Sequence, residues 1–566
     1  MSNAPLRVRW LGTVPYRDAL ALQQGLFAHG SEQHLLLLEH PHVFTYGPRT
    51  DLGANLRCDP AAVGAELVAV KRGGDVTYHG PGQLVGYPIL SVANALGAMD
   101  HVMAVQRVLI ASLRELGLDD VGCLPEYPGV WVEPGGPNPR KIAAIGVRLA
   151  HGRTMHGFAL NVGTDLTFMR EHIVPCGIAD RPVTSLAEEG ITATMAEVVD
   201  VVARHAALEW TCGASERQDV AWRHRPDDLA AFSRGDGPGE TVRSAADHRA
   251  PGSRLTARLE QAGVSDGLTI ASRKPEWLRP KVEHGPEVLA LKRTVRDLGL
   301  VTVCEEAGCP NLSECWSDGT ATFMVLGERC TRACGFCLVD TRHPMPPAPD
   351  EPDRVAEAVA RMGIAHVVLT MVARDDLDDG GMTHVARCVA AIRERCPGTR
   401  VETLVSDVKG DPRSLEILLA AAPDVFNHNI ETVARLQRAV RPSAGYARSL
   451  AVLATAKAAG VTTKSGLIVG MGEEPEEVDG CLVDLASIGV DIVTIGQYLR
   501  PTTNHLPVAR WVEPGEFDRW YRVGEAAGIG HVEASPLTRS SYHARQATDR
   551  LGIVNLLKSP EAQPMQ

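Results

Sequence analysis

The sequence predicts an α/β protein built from two domains. A chain of 566 residues exceeds the usual size of one domain, and 44% of its residues are hydrophobic, as in globular proteins. Residues 214–265 are poor in apolar side chains, and strand-like and helix-like patterns alternate on both sides of them. We therefore expect domains at 1–213 and 266–566, joined by a linker at 214–265.

Charge and cysteine content exclude several classes of protein. The formal net charge of −12 argues against a nucleic-acid partner. No apolar run reaches membrane-spanning length, and the first residues lack the apolar core of a signal peptide. Thirteen cysteines in so long a chain do not make a disulfide scaffold, and six of them fall in two tight triplets. We expect a cytoplasmic protein that binds neither nucleic acid nor membrane.

The first domain has recognisable strands, a helix and a glycine-rich loop. Residues 34–40, 141–147 and 156–162 are predicted buried strands, and 100–116 have helical periodicity. The segment 72–83 is punctuated by glycines, which let a ligand approach the backbone closely, although paired glycines are also common in turns.

In this order, these segments and the later stretch Val174–Ile178 resemble the lipoyl(octanoyl) transferase family over about residues 7–212. The resemblance implies the biotin-protein-ligase-like α/β fold, with Cys176 as nucleophile and Lys141 as its activator. The chemistry is consistent, because a nearby ammonium lowers the pKa of a thiol. Thiolate attack on an acyl thioester gives an acyl-enzyme, which a lysine amine can resolve. The residues that would line the acyl site by this resemblance are Arg72, Gly73, Gly74, Asp75, Val76, Thr77, Tyr78, His79, Ala144, Ile145, Gly146, Gly157, Phe158 and Ala159.

The second domain contains three closely spaced cysteines. Cys330, Cys334 and Cys337 have C-x3-C-x2-C spacing and follow a predicted strand at 321–327. Three thiolates can hold three irons of a cubane cluster, which leaves the fourth iron open. The loop lies at the C-terminal end of a strand, where α/β folds place their chemistry. The alternative, a zinc site, usually takes paired C-x2-C clusters or Cys/His sets.

This spacing resembles the radical S-adenosylmethionine (SAM) enzymes, whose open iron binds SAM. A second triplet, Cys304, Cys309 and Cys315, has C-x4-C-x5-C spacing and again leaves one iron in need of a ligand. The resemblance narrows to the lipoyl synthase family over about residues 266–556. The stretches that carry it are Cys304–Trp316, Cys330–Cys337, Arg374–Leu377, Asn427–Thr432, Thr463–Leu467, Gly496–Leu499 and Arg539–Ala544. It implies two 4Fe-4S clusters and SAM as cofactors, with Ser541, or the adjacent Ser540, as fourth ligand of the auxiliary cluster.

The rest of the second domain predicts a βα repeat. Strand patterns at 366–371, 400–406, 424–430, 462–469 and 491–498 alternate with helices, and with 321–327 they make six units. Six units suit the partial (β/α)6 barrel of radical SAM enzymes. The sequence departs from the lipoyl synthase pattern at Ala333, Gly335, Met371 and Ala373. These differences bear on the shape of the loop that carries Cys330, Cys334 and Cys337, and on one polar contact near it.

Together the resemblances imply both steps of lipoate assembly in one chain. The first domain would transfer octanoyl from octanoyl-acyl carrier protein through Cys176 to a lipoyl-domain lysine. The second would insert two sulfurs at carbons 6 and 8. Implied partners are lipoyl domains of 2-oxoacid dehydrogenase complexes, the glycine cleavage H protein, and an electron donor such as ferredoxin or flavodoxin. Two alternatives stay open: an iron–sulfur electron carrier with a fused acyl-binding module, and a transferase with an inactive second half.

Overall fold

The structure is a computed structural model that describes the chain in several ranges. They are residues 4–92, 97–175, 181–220, 258–264, 267, 273–279, 293–302, 311–317 and 319–552. The chain divides into two compact units, Met1–Trp222 and Arg223–Gln566. Within the described ranges, no helix is both long enough and apolar enough to cross a lipid bilayer.

The first unit is organised around one large mixed sheet and one small sheet. Its strands are β1 (Leu6–Thr13), β2 (Gln33–Glu39), β3 (Val43–Tyr46), β4 (Glu66–Ala69), β5 (Thr77–His79), β6 (Gln83–Ile89), β7 (Val121–Leu124), β8 (Tyr127–Val132), β9 (Arg140–Ala150), β10 (Arg153–Asn161) and β11 (Ser215–Asp219). The large sheet has the order β11-β1-β2-β6-β10-β9-β8-β7, and the small one has β4-β3-β5. The predicted strands at 34–40, 141–147 and 156–162 are confirmed as β2, β9 and β10.

Two long helices close the core of the first unit. Its helices are Tyr16–His29, Leu52–Asn55, Ala98–Glu115, Thr167–Arg170 and Met195–Thr211. The predicted helix at 100–116 is confirmed. Met195–Thr211 begins with a capping box, in which Thr194 and Glu197 each accept a hydrogen bond from the other's backbone N–H. The buried faces of Ala98–Glu115 and Met195–Thr211 pack with the large sheet in one apolar cluster.

Two short stretches within the predicted linker have regular secondary structure. Residues 215–219, expected in the linker, form β11, which pairs in parallel with β1 at the edge of the large sheet. Charged side chains mislead a composition argument here, because on this edge strand they form ion pairs such as Arg9–Glu216 at 2.8 Å. At the other end, residues 258–261 are helical and Leu259 is buried. A helical piece expected around Asp228–Phe232 lies outside the described residues.

The second unit is an open sheet whose strands follow chain order. They are β12 (Val301–Thr302), β13 (Thr320–Val325), β14 (His366–Met371), β15 (Arg400–Leu404), β16 (Val425–Asn427), β17 (Thr462–Val469), β18 (Ile492–Gln497) and β19 (His531–Ala534). All neighbours pair in parallel except β12 with β13. The six predicted strands are confirmed as β13–β18, and β12 and β19 are additional. No closed barrel forms among the described strands.

Helices connect the successive parallel strands β13–β19, so the C-terminal ends of these strands lie at one edge of the sheet. The principal ones are Glu351–Met362, Met382–Arg395, Pro412–Ala420, Tyr446–Ala458, Pro475–Ser487 and Pro514–Ala526, with shorter Leu312–Ser317, Gln437–Val440 and Ala544–Arg550. All six residues of β13 are buried, as expected for a strand covered on both faces. The loops that follow β13–β18 therefore meet at one edge, and the stretches Cys330–Cys337 and Arg374–Leu377 lie in two of them.

Candidate active sites

The structure brings the three predicted acyl-site segments together. Gly146 on β9 pairs with Gly157 on β10, and Gly73 N donates to Val147 O at 3.3 Å. A Cβ at Gly146 would lie 3.1 Å from Gly73 O, a tight contact, so glycine at this position favours the close approach of the loop to β9. Arg72 holds the loop by donating to Thr45 O at 2.7 Å and to Asp75 O at 2.9 Å.

Lys141 lies on β9 where the chain returns from the Cys176 segment. Its side chain is 5% exposed, and its ammonium lies 5.4 Å from the centre of the Trp131 ring. Lys141 N donates to Pro182 O, and Thr184 N donates to Lys141 O, both at 2.9 Å. Cys176 itself lies outside the described residues. The backbone of Lys141 therefore anchors the end of the segment that carries the predicted nucleophile.

Apart from His79, a buried polar cluster beside this site was not predicted from the sequence. His40 Nδ1 donates to Val14 O at 2.7 Å, which leaves Nε2 to accept from the Tyr87 hydroxyl at 2.8 Å. The Tyr16 ring stacks on His79 with ring centres 6.0 Å apart. The signal that could have located these residues is a polar side chain at an inward position of an apolar strand.

A second set of hydrogen bonds runs from His79 toward the Lys141 strand. His79 Nδ1 donates to Gln83 Oε1 at 2.8 Å, and Gln83 Nε2 donates to Asn161 Oδ1 at 3.0 Å. Asn161 Nδ2 then donates to Thr184 O at 2.9 Å. Burial lowers the pKa of His79 to about 3 and that of His40 to about 4, so both rings are neutral at pH 7.

In the second unit, backbone hydrogen bonds fix the loop of Cys330, Cys334 and Cys337, which we call the cluster loop. Cys330 N donates to Asp340 O at 2.8 Å, and Gly335 N donates to Val440 O at 2.8 Å. His505 Nε2 donates to Cys337 O at 2.9 Å. The loop is thus attached along its whole length.

Arg332, inside the cluster loop, is the strongest single attachment. Its guanidinium forms two hydrogen bonds with the Asp375 carboxylate, at 2.7 and 2.8 Å, and an ion pair with Asp407 at 2.6 Å. Arg332 and Asp407 are both buried. Asp375 follows β14 and Asp407 follows β15, so one side chain ties the cluster loop to two neighbouring strand ends.

The three thiols fit a 4Fe-4S cluster by donor type and proximity. Burial raises the pKa of Cys334 to about 12 and that of Cys337 to about 11, and charge on the neighbouring thiols of the triplet adds to both increases. The three cysteines share one short loop, Cys330–Cys337. In the described ranges, no three His, Cys, Asp or Glu side chains converge as the ligands of one metal ion would. A cubane cluster does not need three ligands to converge on one ion, because each thiolate binds a different iron of the cluster.

The departures from the family pattern are accommodated locally. A Cβ at Gly335 would lie 2.6 Å from Leu506 Cδ1, so Leu506 fills the space that a larger side chain would need. At Ala373, the contact with the cluster loop uses the backbone, since Ala373 O accepts from Thr331 N at 3.0 Å and from Thr331 Oγ1 at 2.9 Å. This contact does not depend on a polar side chain at position 373.

The described part of the second triplet lies against the last motif. Cys304 and Cys309 are outside the described residues, whereas Cys315 is buried in Leu312–Ser317. The Tyr542 hydroxyl donates to Glu314 Oε1 at 3.1 Å, and burial raises the pKa of Tyr542, with the charge of Glu314 adding to the increase. The short helix that carries Cys315 is therefore in contact with Tyr542, the residue after Ser541.

Of the two adjacent serines, Ser540 is held by hydrogen bonds. Its hydroxyl accepts from Asn427 Nδ2 at 3.0 Å and donates to Asn429 Oδ1 at 3.1 Å. For Ser541, no side-chain hydrogen bond is found within the part of the chain that the structure describes. The Ser540 hydroxyl thus contacts two asparagine side chains of the loop after β16.

The sheet of the second unit also contains a buried ion pair that was not predicted from the sequence. Lys464 Nζ lies 3.0 Å from Glu402 Oε1, and both side chains are almost completely buried. Asn427 Nδ2 donates to the same oxygen at 2.7 Å. Burial alone would raise the pKa of Glu402, but the Lys464 ammonium holds it at about 2. The carboxylate is therefore ionised at pH 7 and orients Asn427.

Two family models match separate parts of the chain. The lipoyl protein ligase A/B catalytic domain matches residues 15–207, and the radical SAM superfamily matches residues 324–485. A solved structure of a bipartite lipoate protein ligase and its E2 lipoyl domain from Thermoplasma acidophilum is 19% identical. It covers 38% of this chain and 88% of that chain, with a TM-score of 0.34.

Curated relatives match the second unit over most of their own length. Lipoyl synthase from Rubrobacter xylanophilus is 54% identical over 278 residues, which are 49% of this chain and 87% of that protein. Lipoyl synthase from Methylococcus capsulatus is 50% identical over 283 residues, or 50% of this chain and 88% of that protein. The chain is therefore an enzyme with an acyltransferase unit and a radical SAM unit that uses SAM and a 4Fe-4S cluster, and it belongs to the lipoyl synthase family.

Proposed function

We propose that the chain performs two consecutive steps of lipoate biosynthesis on one lipoyl-domain lysine. Its first unit transfers an octanoyl group, and its second unit inserts two sulfur atoms into that group at carbons 6 and 8. The observation that carries the proposal is the presence in one chain of a lipoyl protein ligase A/B catalytic domain and a nearly full-length lipoyl synthase.

In the transfer step, the Cys176 thiolate attacks the thioester of octanoyl-acyl carrier protein and releases the carrier thiolate, which takes up the proton that the substrate lysine later gives up. The acyl-cysteine is then attacked by the lipoyl-domain lysine, which forms the amide, releases the thiolate and gives up a proton. Lys141 supports this role because its ammonium is buried on the strand where the Cys176 segment ends. The segments 72–79, 144–146 and 157–159 lie side by side and form the acyl site in this proposal.

In the sulfur-insertion step, the cysteines hold two clusters with different tasks. Cys330, Cys334 and Cys337 hold the cluster that binds SAM, and Cys304, Cys309, Cys315 and Ser541 hold an auxiliary cluster. When bound, the first cluster and SAM supply a 5′-deoxyadenosyl radical that abstracts hydrogen, and the auxiliary cluster supplies sulfur. A serine alkoxide would be a weaker ligand for iron than the three thiolates of that cluster.

The partners follow from these reactions. They are octanoyl-acyl carrier protein, lipoyl domains of 2-oxoacid dehydrogenase complexes and the glycine cleavage H protein, and an electron donor such as ferredoxin or flavodoxin. The proposed location is the cytoplasm, where reducing conditions preserve thiolates and clusters.

Two measurements on the full chain test the proposal. Intact-mass spectrometry after incubation with octanoyl-acyl carrier protein should find one octanoyl adduct on Cys176, and none with Cys176→Ser. Reconstituted, reduced protein given SAM and an octanoylated lipoyl domain should release 5′-deoxyadenosine and form a lipoyl group. Normal transfer by Cys176→Ala, or a cluster-loaded chain that never cleaves SAM, would contradict it.

A further inference from the structure

The Lys141 side chain lies against the neighbouring strand β8, over an aromatic ring. Its ammonium is 5.4 Å from the centre of the Trp131 ring, a distance at which a cation is attracted to the face of the ring. Both side chains are buried, with 5% of Lys141 and none of Trp131 exposed. A buried ammonium has lost its water and needs a compensating partner, and the Trp131 ring provides one.

The register of the two strands brings these side chains together. Trp131 on β8 pairs with Lys141 on β9. The preceding Val130 pairs with Ala143, so one extra residue of β9 lies between the two pairs, and such a bulge changes the direction of the side chains beside it. The ring itself is fixed, because Trp131 Nε1 donates to Tyr127 O at 3.2 Å. The backbone therefore places the ring against Lys141.

Gly129 leaves the space that the Lys141 side chain occupies. A Cβ at this position would lie 2.5 Å from Lys141 Cε and 2.6 Å from Ala143 O. Gly129 also has a φ of 137°, which favours glycine. Gln106 Nε2, on helix Ala98–Glu115, donates to Gly129 O at 3.0 Å and holds this peptide in place. The lysine is thus confined between a glycine and an aromatic ring.

The adjacent cation on the same strand has a different environment. Arg140 pairs with Glu133 at 2.9 Å and with Glu189 at 2.8 Å. Because consecutive residues of a strand point to opposite faces, Lys141 lies on the other face from these ion pairs, against Trp131. An ammonium held by a neutral ring keeps its charge for a neighbouring thiol, whereas a carboxylate partner would cancel much of that charge.

We propose that Trp131 is a positioning residue of the transferase unit, whose ring holds the Lys141 ammonium in place without neutralising it. The inference rests on the proposed function, in which Lys141 activates the thiol that carries the acyl group. Trp131 acts through Lys141 and not on the substrate. Weakening the attraction between the ring and the cation should release the lysine and slow the transfer, even where the shape of the site is unchanged.

The test replaces Trp131 of the full chain with fluorinated tryptophans by nonsense suppression. Each added fluorine withdraws electron density from the ring and weakens its attraction for a cation, with little change in shape. Two quantities are measured: the rate at which acetic anhydride labels the Lys141 amine at a fixed pH, and kcat for octanoyl transfer to a lipoyl domain. From tryptophan to tetrafluorotryptophan, labelling should rise and kcat should fall, each by about tenfold, while KM is unchanged.

Conventional substitutions and a matched control accompany the series. Trp131→Phe keeps an aromatic face and should retain more of kcat than Trp131→Leu, whose side chain does not attract a cation. The control is Trp10, a tryptophan buried on β1 of the same sheet, where the fluorinated series should leave labelling and kcat unchanged. Should Trp131→Leu fail to fold, the fluorinated series still tests the inference, because it preserves the shape of the ring.

The outcomes separate the inference from the function on which it rests. If fluorination of Trp131 leaves either the labelling of Lys141 or kcat unchanged, the ring only packs against the lysine, and the inference is wrong while the transferase stands. Equal responses of the Trp10 and Trp131 series would also overturn it. If the unsubstituted chain transfers no octanoyl group, the proposed function is wrong, and the labelling of Lys141 by itself shows whether the ring holds the ammonium.

Discussion

Arg332 and Asp407 form a buried ion pair, with the guanidinium Nη1 2.6 Å from Oδ1 of the carboxylate. Burial alone would raise the pKa of Asp407, but the Arg332 charge holds it well below its usual value. The pair links the cluster loop after β13 to the loop after β15. Because an unpaired charge cannot be left buried cheaply, the pair makes the shape of the cluster loop depend on a distant strand.

Asp407→Asn should destabilise the second unit by about 3 kcal/mol, the lower end of the cost of breaking a buried pair, because Asp375 still faces Arg332. Pulse proteolysis of the full chain across a urea series, with fragments assigned by mass, measures this for the second unit. Asp350→Asn is the control, since Asp350 is exposed and its pair with Arg354 is worth less than about 1 kcal/mol. Equal effects of the two substitutions would contradict the structural role of Asp407.

Lys141→Ala should raise the pH at which iodoacetamide alkylates Cys176. Without the ammonium, the thiol loses the charge that favours its ionised form, so its pKa increases. Lys141→Arg keeps a positive charge and should shift the alkylation profile less. The rate of Cys176 alkylation against pH, followed by peptide mass spectrometry, measures both. An unchanged profile in Lys141→Ala would remove Lys141 as the activator.

The first unit should lose stability as the pH falls below 6.5. Burial lowers the pKa of His40 and His101 to about 4 and that of His79 and His156 to about 3, from an ordinary value of 6.5. Such histidines take up protons mainly on unfolding, so their contribution is present above pH 6.5 and lost toward pH 4.

Each of these histidines should lower the free energy of unfolding of the first unit by up to about 1.4 kcal/mol for each pH unit between pH 6.5 and pH 4. Urea unfolding of the first unit at pH 7.0, 6.0 and 5.0 measures the slope. His101→Phe should make the slope shallower, whereas His151→Gln, at an exposed position, should not. Stability that does not change between pH 7 and 5 would show that these rings are not neutral and buried.

Residues 1–237 expressed alone should be a stable, active transferase, whereas residues 1–213 should not be equally stable. The shorter piece lacks β11, its pairing with β1 and the Arg9–Glu216 ion pair, and it leaves the buried guanidinium of Arg9 without that carboxylate. The midpoint of thermal unfolding and the octanoyl-transfer rate measure the difference. Residues 238–566 should retain SAM cleavage on their own. If residues 1–237 and residues 1–213 unfold at the same midpoint, β11 contributes nothing to the stability of the first unit.

The two cysteine triplets should give different phenotypes when substituted. Alanine at Cys330, Cys334 or Cys337 should abolish 5′-deoxyadenosine release, because the open iron is lost with its cluster. Alanine at Cys304, Cys309 or Cys315 should leave SAM cleavage intact and stop lipoyl formation. Iron content and both products are measured for each variant, with Cys388→Ala, a buried helical cysteine, as control. The same phenotype from both triplets would contradict the division of labour.

The sequence alone determined which residues share a task when that task depends on local spacing. Cys330, Cys334 and Cys337 are close in the chain, so any loop of that length brings their thiols together. The strands β13–β18 were predictable because a parallel sheet covered on both faces needs continuous apolar segments between helices. The order of these strands followed, since crossover connections keep sequence neighbours adjacent.

Only the tertiary structure decided contacts between residues far apart in sequence. Nothing local distinguishes Asp407 from other aspartates until β15 places it against Arg332, and nothing distinguishes Ser540 from Ser541 until β16 presents Asn427 and Asn429. The segment of β11 was expected in the linker, whereas its Glu216 pairs with Arg7 and Arg9 on β1, partners that the composition of the segment does not indicate. Composition and periodicity report which face of a segment is apolar, whereas the partner of a buried charge depends on how the whole chain folds.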